Sequence, residues 1–556
     1  MKKAFLSLIG LLLFVQAISQ TAVAGKTLNN KNDVLGEKPA LVVGIVIDQM
    51  RYDYITRFYS KYSEDGFKRL INEGFSCENA NYNYIPTYTA VGHTSIYTGT
   101  TPMYHGIISN NWYDKYLKKT IYCVDDDNYS TIGTNSDKGK KSPYRMLATT
   151  ITDELHLHQN MKGKVIGIAL KDRASILPAG HTANAAYWYD GSSGGNWITS
   201  SFYMRELPTW VQQFNSIQKA KKYLSKPWKT LYDAKTYTES MVDDNPYEGK
   251  LIGETAPVFP HDLPKLMKNN GGLELIKATP FGNSLTTDFV KAAIIGEALG
   301  QDAITDFLTI SYSSTDYIGH KYGVDAKETE DTYLRLDSDL ASLFHFLDEK
   351  VGKGNYTLFL TADHAAVQVP SYLQSLDIPA GYFDAEGFTT FINKVVKDRF
   401  KSDSLIENIS NFQLFLNKEK IKKLQLDVHK ITQVIVDEAI NFEGVYKVVS
   451  AETLQGTNFT NGALQALQNG YNQKFSGDVL LITNPATIIG THTGTTHGSG
   501  YSYDTHVPLY FYGKGIKHGK SKRYIPIVDI APTLANLLQI SFPNATTGAV
   551  IEEVLE

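Results

Sequence analysis

The sequence predicts an α/β fold: a large, mostly parallel sheet sandwiched by helices, with insertions forming a cap or walls. Three observations carry that expectation. Short unbroken apolar runs recur at 40–47 (ALVVGIVI), 164–169 (KVIGIA), 307–312 (FLTISY) and 356–362 (YTLFLTA), the pattern of strands buried on both faces. Segments of helical apolar spacing alternate with them, which favours parallel strands covered on both sides. Finally, Asp48, Asp316 and Asp363 stand at or just beyond the points where such runs stop, and in open α/β sheets ligands gather at that carboxyl edge.

Each element follows in order. Residues 1–24 read as a secretory signal peptide: Lys2 and Lys3 are followed by an apolar run at 4–15 and by Ala22-Val23-Ala24. That run is too short to span a bilayer. The expectation is export across the inner membrane to the periplasm, without a membrane anchor. Residues 25–556 then form a single catalytic domain, opening on a polar lead-in at 25–38. The strand at 40–47 ends in Asp48-Gln49-Met50-Arg51, and a short helix at 67–72 stops at Gly74. The strand at 164–169 runs into Leu170-Lys171-Asp172-Arg173. Helical spacing at 288–299 precedes the strand that ends near Asp316, and a long amphipathic helix spans 328–351. The strand at 356–362 runs straight into Asp363-His364; strand-like 507–512 and helical 528–538 follow. Three segments break the alternation, at 110–144, 187–260 and 385–465, and read as insertions. The lysine cluster at 418–423 reads as a solvated helix face.

Composition narrows the function. A formal charge of -4 lacks the basic excess of a nucleic-acid binder, so no nucleic-acid partner is expected; a monomer acting on small molecules is the expectation, although the charge does not fix the oligomeric state. Cys77 and Cys123 are the only cysteines. They are able to pair in an oxidising compartment, but two thiols cannot build a four-cysteine zinc site. Any metal must be held by histidines and carboxylates.

Asp48, Asp316, His320, Asp363, His364 and His497 supply such a set. The spacing Asp316-x-x-x-His320 lets two ligands converge, and the adjacent Asp363 and His364 would point to opposite sides of an extended strand end. Six ligands exceed what one catalytic zinc uses; two metals roughly 3.5–4 Å apart is the natural count. Of the other histidines, His93, His181, His492 and His506 lie near these motifs, whereas His156, His158, His345 and His429 have no partner motif. In the segment 85–94 (IPTYTAVGHT), Thr89 falls where an extended stretch turns into a helix. A helix N-terminus favours negative charge, and metal coordination is one way to activate a threonine hydroxyl. The plainer reading is that Thr87 or Thr89 caps the helix.

Asp48, Thr89, Asp316-x-x-x-His320, Asp363-His364 and the late His497-Gly498 resemble, in order, the metal framework of the alkaline phosphatase superfamily. Tyr84-Ile85-Pro86-Thr87-Tyr88-Thr89, Asn110 and Lys171-x-Arg173 narrow the resemblance to phosphate-irrepressible alkaline phosphatases of the PafA type. The resemblance implies two Zn2+ ions, one held by Asp316, His320 and His497, the other by Asp48, Asp363 and His364, with Thr89 as nucleophile. It implies that Asn110, Lys171 and Arg173 contact the phosphoryl group of a small-molecule phosphate monoester, with a phosphothreonine intermediate. Asn111 is a rival for Asn110, and His492 for His497. A nucleotide pyrophosphatase or phosphodiesterase would share the metal core. A sulfatase is disfavoured, since Thr89-Ala90-Val91-Gly92 lacks the Cys/Ser-x-Pro-x-Arg run. An exported binding protein using Tyr187-Trp188-Tyr189 for contact remains the non-catalytic alternative.

Overall fold

The computed structural model describes residues 38–556; the expected leader at 1–24 lies outside the described residues. The apolar runs become strands of one sheet: β1 (Leu41–Ile47), β2 (Phe75–Cys77), β3 (Thr131–Ile132), β4 (Val165–Ala169), β5 (Ala185–Asp190), β6 (Asn196–Ser200), β7 (Asp306–Tyr312), β8 (Tyr356–Thr361), β9 (Leu509–Gly513) and β10 (Gly519–Ser521). Their order across the sheet is β10-β2-β9-β8-β1-β7-β4-β5-β6-β3. The centre, β8-β1-β7-β4-β5, is parallel. Outside it, β9 runs antiparallel to β8 and β2, and β6 antiparallel to β5 and β3. The sheet is therefore mixed, parallel in the middle and mostly antiparallel at its flanks.

Register brings the strand ends level. Ile47 pairs with Tyr312 and Val46 with Thr361, and the Asp48 N–H donates to the Tyr312 carbonyl at 3.0 Å. Residues just past β1, β7 and β8 thus leave the sheet along one edge. Every residue of these three strands is buried, as expected for parallel strands covered on both faces.

Helices cover the sheet. The main ones are α1 (Thr89–Thr98), α2 (Asp172–Ala179), α3 (Phe281–Gly296), α4 (Ser314–Tyr322) and α5 (Lys327–Leu347). Helix α3 starts earlier than the spacing at 288–299 predicts, and α5 stops at Leu347, where a wider helical turn takes over. All ten residues of α1 are buried, which suits a helix with no polar face.

One segment differs from the sequence reading. Tyr187-Trp188-Tyr189 is part of β5, which is buried throughout, rather than of a contact surface. Aromatic residues are strong strand formers and supply large buried areas. Here Trp197 of β6 stacks on Phe289 of α3 at 4.1 Å, fixing the helix to the sheet.

Residues 385–483 build a second layer of structure. A four-stranded sheet (Ile406–Ser410, Gln413–Leu416, Val479–Thr483 and Val445–Ser450) joins helices Ala385–Phe400 and Val428–Ala439 around a core of its own that includes Phe388, Ile392, Leu414, Ile431 and Ile435. The lysine cluster forms the helix Lys418–Lys423, in which only Ile421 is buried. Cys77 and Cys123 are separate buried thiols; Cys77 belongs to the core of the large sheet and Cys123 to a neighbouring cluster with Trp112 and Ile121.

Candidate active site

Three carboxylates and three imidazoles meet at the edge where β1, β7 and β8 end. Asp48 directly follows β1 and is fully buried. Asp316 lies in the first turn of α4, where the helix N-terminus favours negative charge, and His320 follows one turn later on the same face. The His320 Nε2 atom lies 3.0 Å from Asp316 Oδ1. The Asp-x-x-x-His spacing is therefore a helical one. Beyond β8 the chain bends at Asp363, so that Asp363 and His364 both turn into the cluster, with His364 Nε2 at 3.4 Å from Asp363 Oδ2 and 3.5 Å from Asp48 Oδ1. His497 arrives from a distant loop. Its ring stacks on His364 at 3.4 Å, and its Nε2 is 3.7 Å from Asp316 Oδ1.

All three imidazoles are held the same way. Nδ1 of His320 faces the Thr495 carbonyl at 2.8 Å, Nδ1 of His364 the Ala365 carbonyl at 3.0 Å, and Nδ1 of His497 the Thr87 carbonyl at 2.7 Å. A carbonyl only accepts, so each Nδ1 carries a proton and each Nε2 is left to face the carboxylates; burial opposes a charge on His320, but Asp316 overcomes it and raises that imidazole above its usual range. Burial, with the neighbouring His497, holds His364 well below the usual imidazole range, and burial, with the neighbouring His320, brings His497 down to about 3. Both are therefore neutral, the ligand form.

The donor set fits a divalent metal. Asp48 Oδ1, Asp363 Oδ2 and His364 Nε2 are buried without a hydrogen-bond partner. Unpaired buried charge is costly unless a cation meets it. Candidate ligand atoms of Asp316, His320 and His497 lie within 4.8 Å of one another, as do those of Asp48, Asp316 and His364. Asp316 is common to both sets, so two centres would adjoin. Asp363, expected in the second set, flanks it through His364. Burial, then the nearby Asp316 and Asp363, raises Asp48 well above the usual carboxylate range. Burial also brings Asp363 up to about 7. Burial opposes ionisation of Asp316 too, but His320 and Lys171 overcome it and hold that carboxyl well below its usual range. Nitrogen and oxygen donors without thiolate are a set that zinc accepts.

Thr89 opens α1 after Tyr88, whose backbone is extended. It does not cap the helix: no side-chain cap is made there, and Thr87 donates instead to the Ser499 carbonyl at 2.9 Å. Asn110 does that work, its Oδ1 accepting from the Ala90 N–H at 2.9 Å. The Thr89 hydroxyl is left with Arg173, whose Nη2 is 3.5 Å away. Arg173 Nη1 donates to the Tyr122 hydroxyl at 3.1 Å, and its Nε is buried and unpartnered. Lys171 lies between two carboxylates, 2.5 Å from Asp48 Oδ2 and 2.5 Å from Asp316 Oδ2. Burial works against this ammonium, but Asp316 and Asp48 hold its pKa above the ordinary lysine value. Lys171 and Arg173 line a cavity of about 370 Å³ with Tyr122, Trp188 and Tyr317.

Two further residues belong to this geometry. Gln49, in a left-handed conformation (φ 65), donates from its backbone to Asp363 Oδ1 at 3.1 Å and from its amide to Asp316 Oδ1 at 2.7 Å. Its only sequence signal was its place beside Asp48. His93 bonds the Thr89 carbonyl at 2.9 Å and Ser311 Oγ at 3.0 Å, and lies 3.4 Å from Asp363 Oδ2. Gly92 lets α1 approach this strand end, since a Cβ there would sit 2.1 Å from the Asp363 carbonyl oxygen. Asn111 is exposed on a hairpin and His492 is exposed against Tyr382, both apart from the cluster. His181 pairs with Asp153, and His506 bonds the Glu78 carbonyl.

Known proteins resemble this chain along most of its length. A family model described as Type I phosphodiesterase / nucleotide pyrophosphatase matches residues 42–507. The chain is 47% identical over 524 residues to a Myroides odoratus protein named calcium-transporting ATPase, covering 94% of this chain and 95% of that one. It is 43% identical over 521 residues to alkaline phosphatase PafA of Elizabethkingia meningoseptica, covering 93% and 95%. The crystal structure of wild-type PafA superposes with a TM-score of 0.90 at 43% identity, over 94% of this chain and all of that one. The chain therefore belongs to the alkaline phosphatase superfamily, in its type I phosphodiesterase/nucleotide pyrophosphatase family and alongside the PafA-type alkaline phosphatases.

Proposed function

We propose that this protein is an exported, zinc-dependent phosphate monoester hydrolase that works through a phosphothreonine on Thr89. The observation that carries the reading is a threonine hydroxyl, free of any capping role, at a buried helix start beside a guanidinium. The alkaline phosphatase relatives support the reaction class.

One zinc ion would be held by Asp316, His320 and His497, and a second by Asp48, Asp363 and His364. When bound, the pair supplies Lewis acidity: it lowers the pKa of the attacking hydroxyl and of water, and it takes up charge on the leaving oxygen. The rest falls to the chain. Thr89 Oγ attacks phosphorus in line, forming an Oγ–P bond as the ester P–O bond breaks. Water then cleaves the phosphothreonine, releasing phosphate and restoring the hydroxyl. The α1 N-terminus favours the dianion throughout. Arg173 donates its fork to non-bridging oxygens, and Tyr122 keeps that fork in place. Asn110, already fixed through Oδ1, turns its amide N–H groups to another oxygen. Metal on Asp48 and Asp316 would compete for the partners of Lys171 and leave its ammonium to the phosphoryl group.

Two cationic side chains suit a substrate end with two negative charges better than a diester with one. The terminal phosphoryl group of ATP has the same charge and shape, so the ATPase name of the Myroides relative agrees with this pocket. The test is kcat/KM for an aryl phosphate and the matching diester, before and after chelation and zinc add-back, with acid-quench trapping of phosphate on Thr89. Strong monoester preference restored by zinc, with trapped phosphothreonine, supports the reading. Diester preference would move the protein to the phosphodiesterase reading, and no zinc-dependent turnover would sink both. Export predicts a mature N-terminus at Gly25, checked by N-terminal sequencing.

A further inference from the structure

One residue touches both candidate metal sets without supplying a ligand. Gln49 is 3% exposed and directly follows Asp48 with φ 65, a left-handed backbone that a residue with a Cβ adopts at a cost. Such strain persists only where the surroundings demand it. Here the turn aims the Gln49 N–H at Asp363 Oδ1, at 3.1 Å, and the side chain crosses to donate from Nε2 to Asp316 Oδ1, at 2.7 Å.

Each bond decides which oxygen is left for a metal. With Asp363 Oδ1 engaged, the oxygen without a partner is Oδ2, which lies 3.4 Å from His364 Nε2. Asp316 Oδ2 is taken by Lys171 at 2.5 Å. Asp316 Oδ1 has Gln49 on one side, and His320 Nε2 and His497 Nε2 stand 3.0 Å and 3.7 Å from it. A carboxylate oxygen has two lone pairs, so one remains for an ion beside those imidazoles.

The fold makes room for this amide. Helix α4 passes it at Gly319, between Asp316 and His320. A Cβ there would sit 1.9 Å from Gln49 Oε1, and the three atoms nearest that position all belong to the Gln49 amide. Glycine inside a helix is unfavourable relative to alanine; at this one the missing methyl is the space the amide fills.

We propose that Gln49 is a positioning residue shared by both centres. Its backbone N–H reserves Asp363 Oδ2 for one ion, its amide reserves the remaining lone pair of Asp316 Oδ1 for the other, and Gly319 is the slot that admits the amide. This role rests on the zinc reading of the site and involves no contact with substrate.

The test uses the full mature chain, freed of metal on a chelating resin and titrated with zinc against a chromophoric chelator. A parallel titration uses cobalt, whose visible spectrum reports ligand geometry. Wild type should take up about two ions per chain. Gln49→Gly removes the amide but suits the left-handed backbone. It should weaken one ion on the order of 10–100-fold, alter the cobalt spectrum, and leave the other ion closer to wild type, since the backbone N–H to Asp363 survives. Gln49→Asn also tolerates this φ, is one methylene too short to reach Asp316, and should behave alike. Gly319→Ala keeps Gln49 in the chain and displaces its amide. It should reproduce the loss while the Tm of the metal-free chain holds level or rises, because alanine favours the helix. Combined with Gln49→Gly, its effect should not add.

Wild-type affinities and cobalt spectra in Gln49→Gly and Gly319→Ala would overturn the role of Gln49 and leave the zinc reading standing. Equal weakening of both ions would overturn the division between backbone and amide. Losses that track a lower metal-free Tm would reduce Gln49 to a packing residue, and additive losses would sever Gly319 from it. No zinc uptake by wild type would sink the zinc reading and this role together.

Discussion

Replacing Arg173 by alanine separates monoester from diester chemistry. The guanidinium stands 3.5 Å from the Thr89 hydroxyl and is fixed by Tyr122 at 3.1 Å, so its N–H groups lie where phosphoryl oxygens must pass. A charge-assisted hydrogen bond contributes about 1.5–3 kcal/mol. Two such bonds to a dianionic phosphoryl group give about 3–6 kcal/mol, or roughly 10²–10⁴ in rate at 1.36 kcal/mol per tenfold. A diester has one of those oxygens esterified and loses one bond, roughly 10–10². Arg173→Ala should therefore cut kcat/KM for an aryl monoester by about 10–10² more than for the matching diester. Arg173→Lys should recover little, because an ammonium lacks the planar fork. Tyr122→Phe should show a smaller loss in the same direction. The assay is steady-state kinetics on both substrates with zinc in excess and metal content measured for each variant. An equal drop on the two substrates at unchanged zinc content would refute the argument that Arg173 reads the dianion.

Other substitutions test other links. Thr89→Ser should keep turnover and a trapped phospho-intermediate, whereas Thr89→Ala should lose both while retaining zinc, as mass spectrometry and metal analysis will show. Gly92→Ala places a methyl 2.1 Å from the Asp363 carbonyl oxygen; despite the better helix propensity of alanine it should cost about 1–3 kcal/mol of stability, read by denaturant melts. Asp504 accepts from the Ser499 N–H at 2.8 Å and the Ser499 hydroxyl at 2.6 Å, and burial brings its pKa up to about 7. The fold keeps this proton while the unfolded chain gives it up above about pH 4, so stability falls by about 1.4 kcal/mol per unit as pH rises from about 4 to about 7 and no further beyond. Asp504→Asn should remove that slope from the pH dependence of stability; an unchanged slope would mean that Asp504 is ionised in the fold across this range.

The sheet was legible where the chain is simplest. Parallel strands buried on both faces leave unbroken apolar runs, and the runs that became β1, β4, β7 and β8 could be read directly. The candidate ligands were legible because aspartate and histidine are conspicuous just past such runs. Helix α1 was not marked by periodicity: all ten of its residues are buried, so no polar face gives a period to detect. Strand β5 was misplaced because Tyr and Trp serve equally well in a core and on a contact surface. Placement in space, not spacing, distinguishes Asn110 from Asn111 and His497 from His492, since only the first of each pair reaches the Thr89 edge. Gln49 escaped for another reason: it is ordinary alone, and what sets it apart is an unusual φ and its bonds to Asp316 and Asp363.

The contact between Gly92 and the Asp363 backbone has a consequence for how the enzyme fails. Through it, and through the hydrogen bond that Ser311 of β7 donates to His93, the helix bearing Thr89 is welded to the two strands beneath it. No small opening motion can separate hydroxyl from ligands without parting the centre of the sheet. Amides of α1 should therefore exchange with deuterium only as slowly as the slowest in the chain, and heat should silence the enzyme only when the molecule itself comes apart.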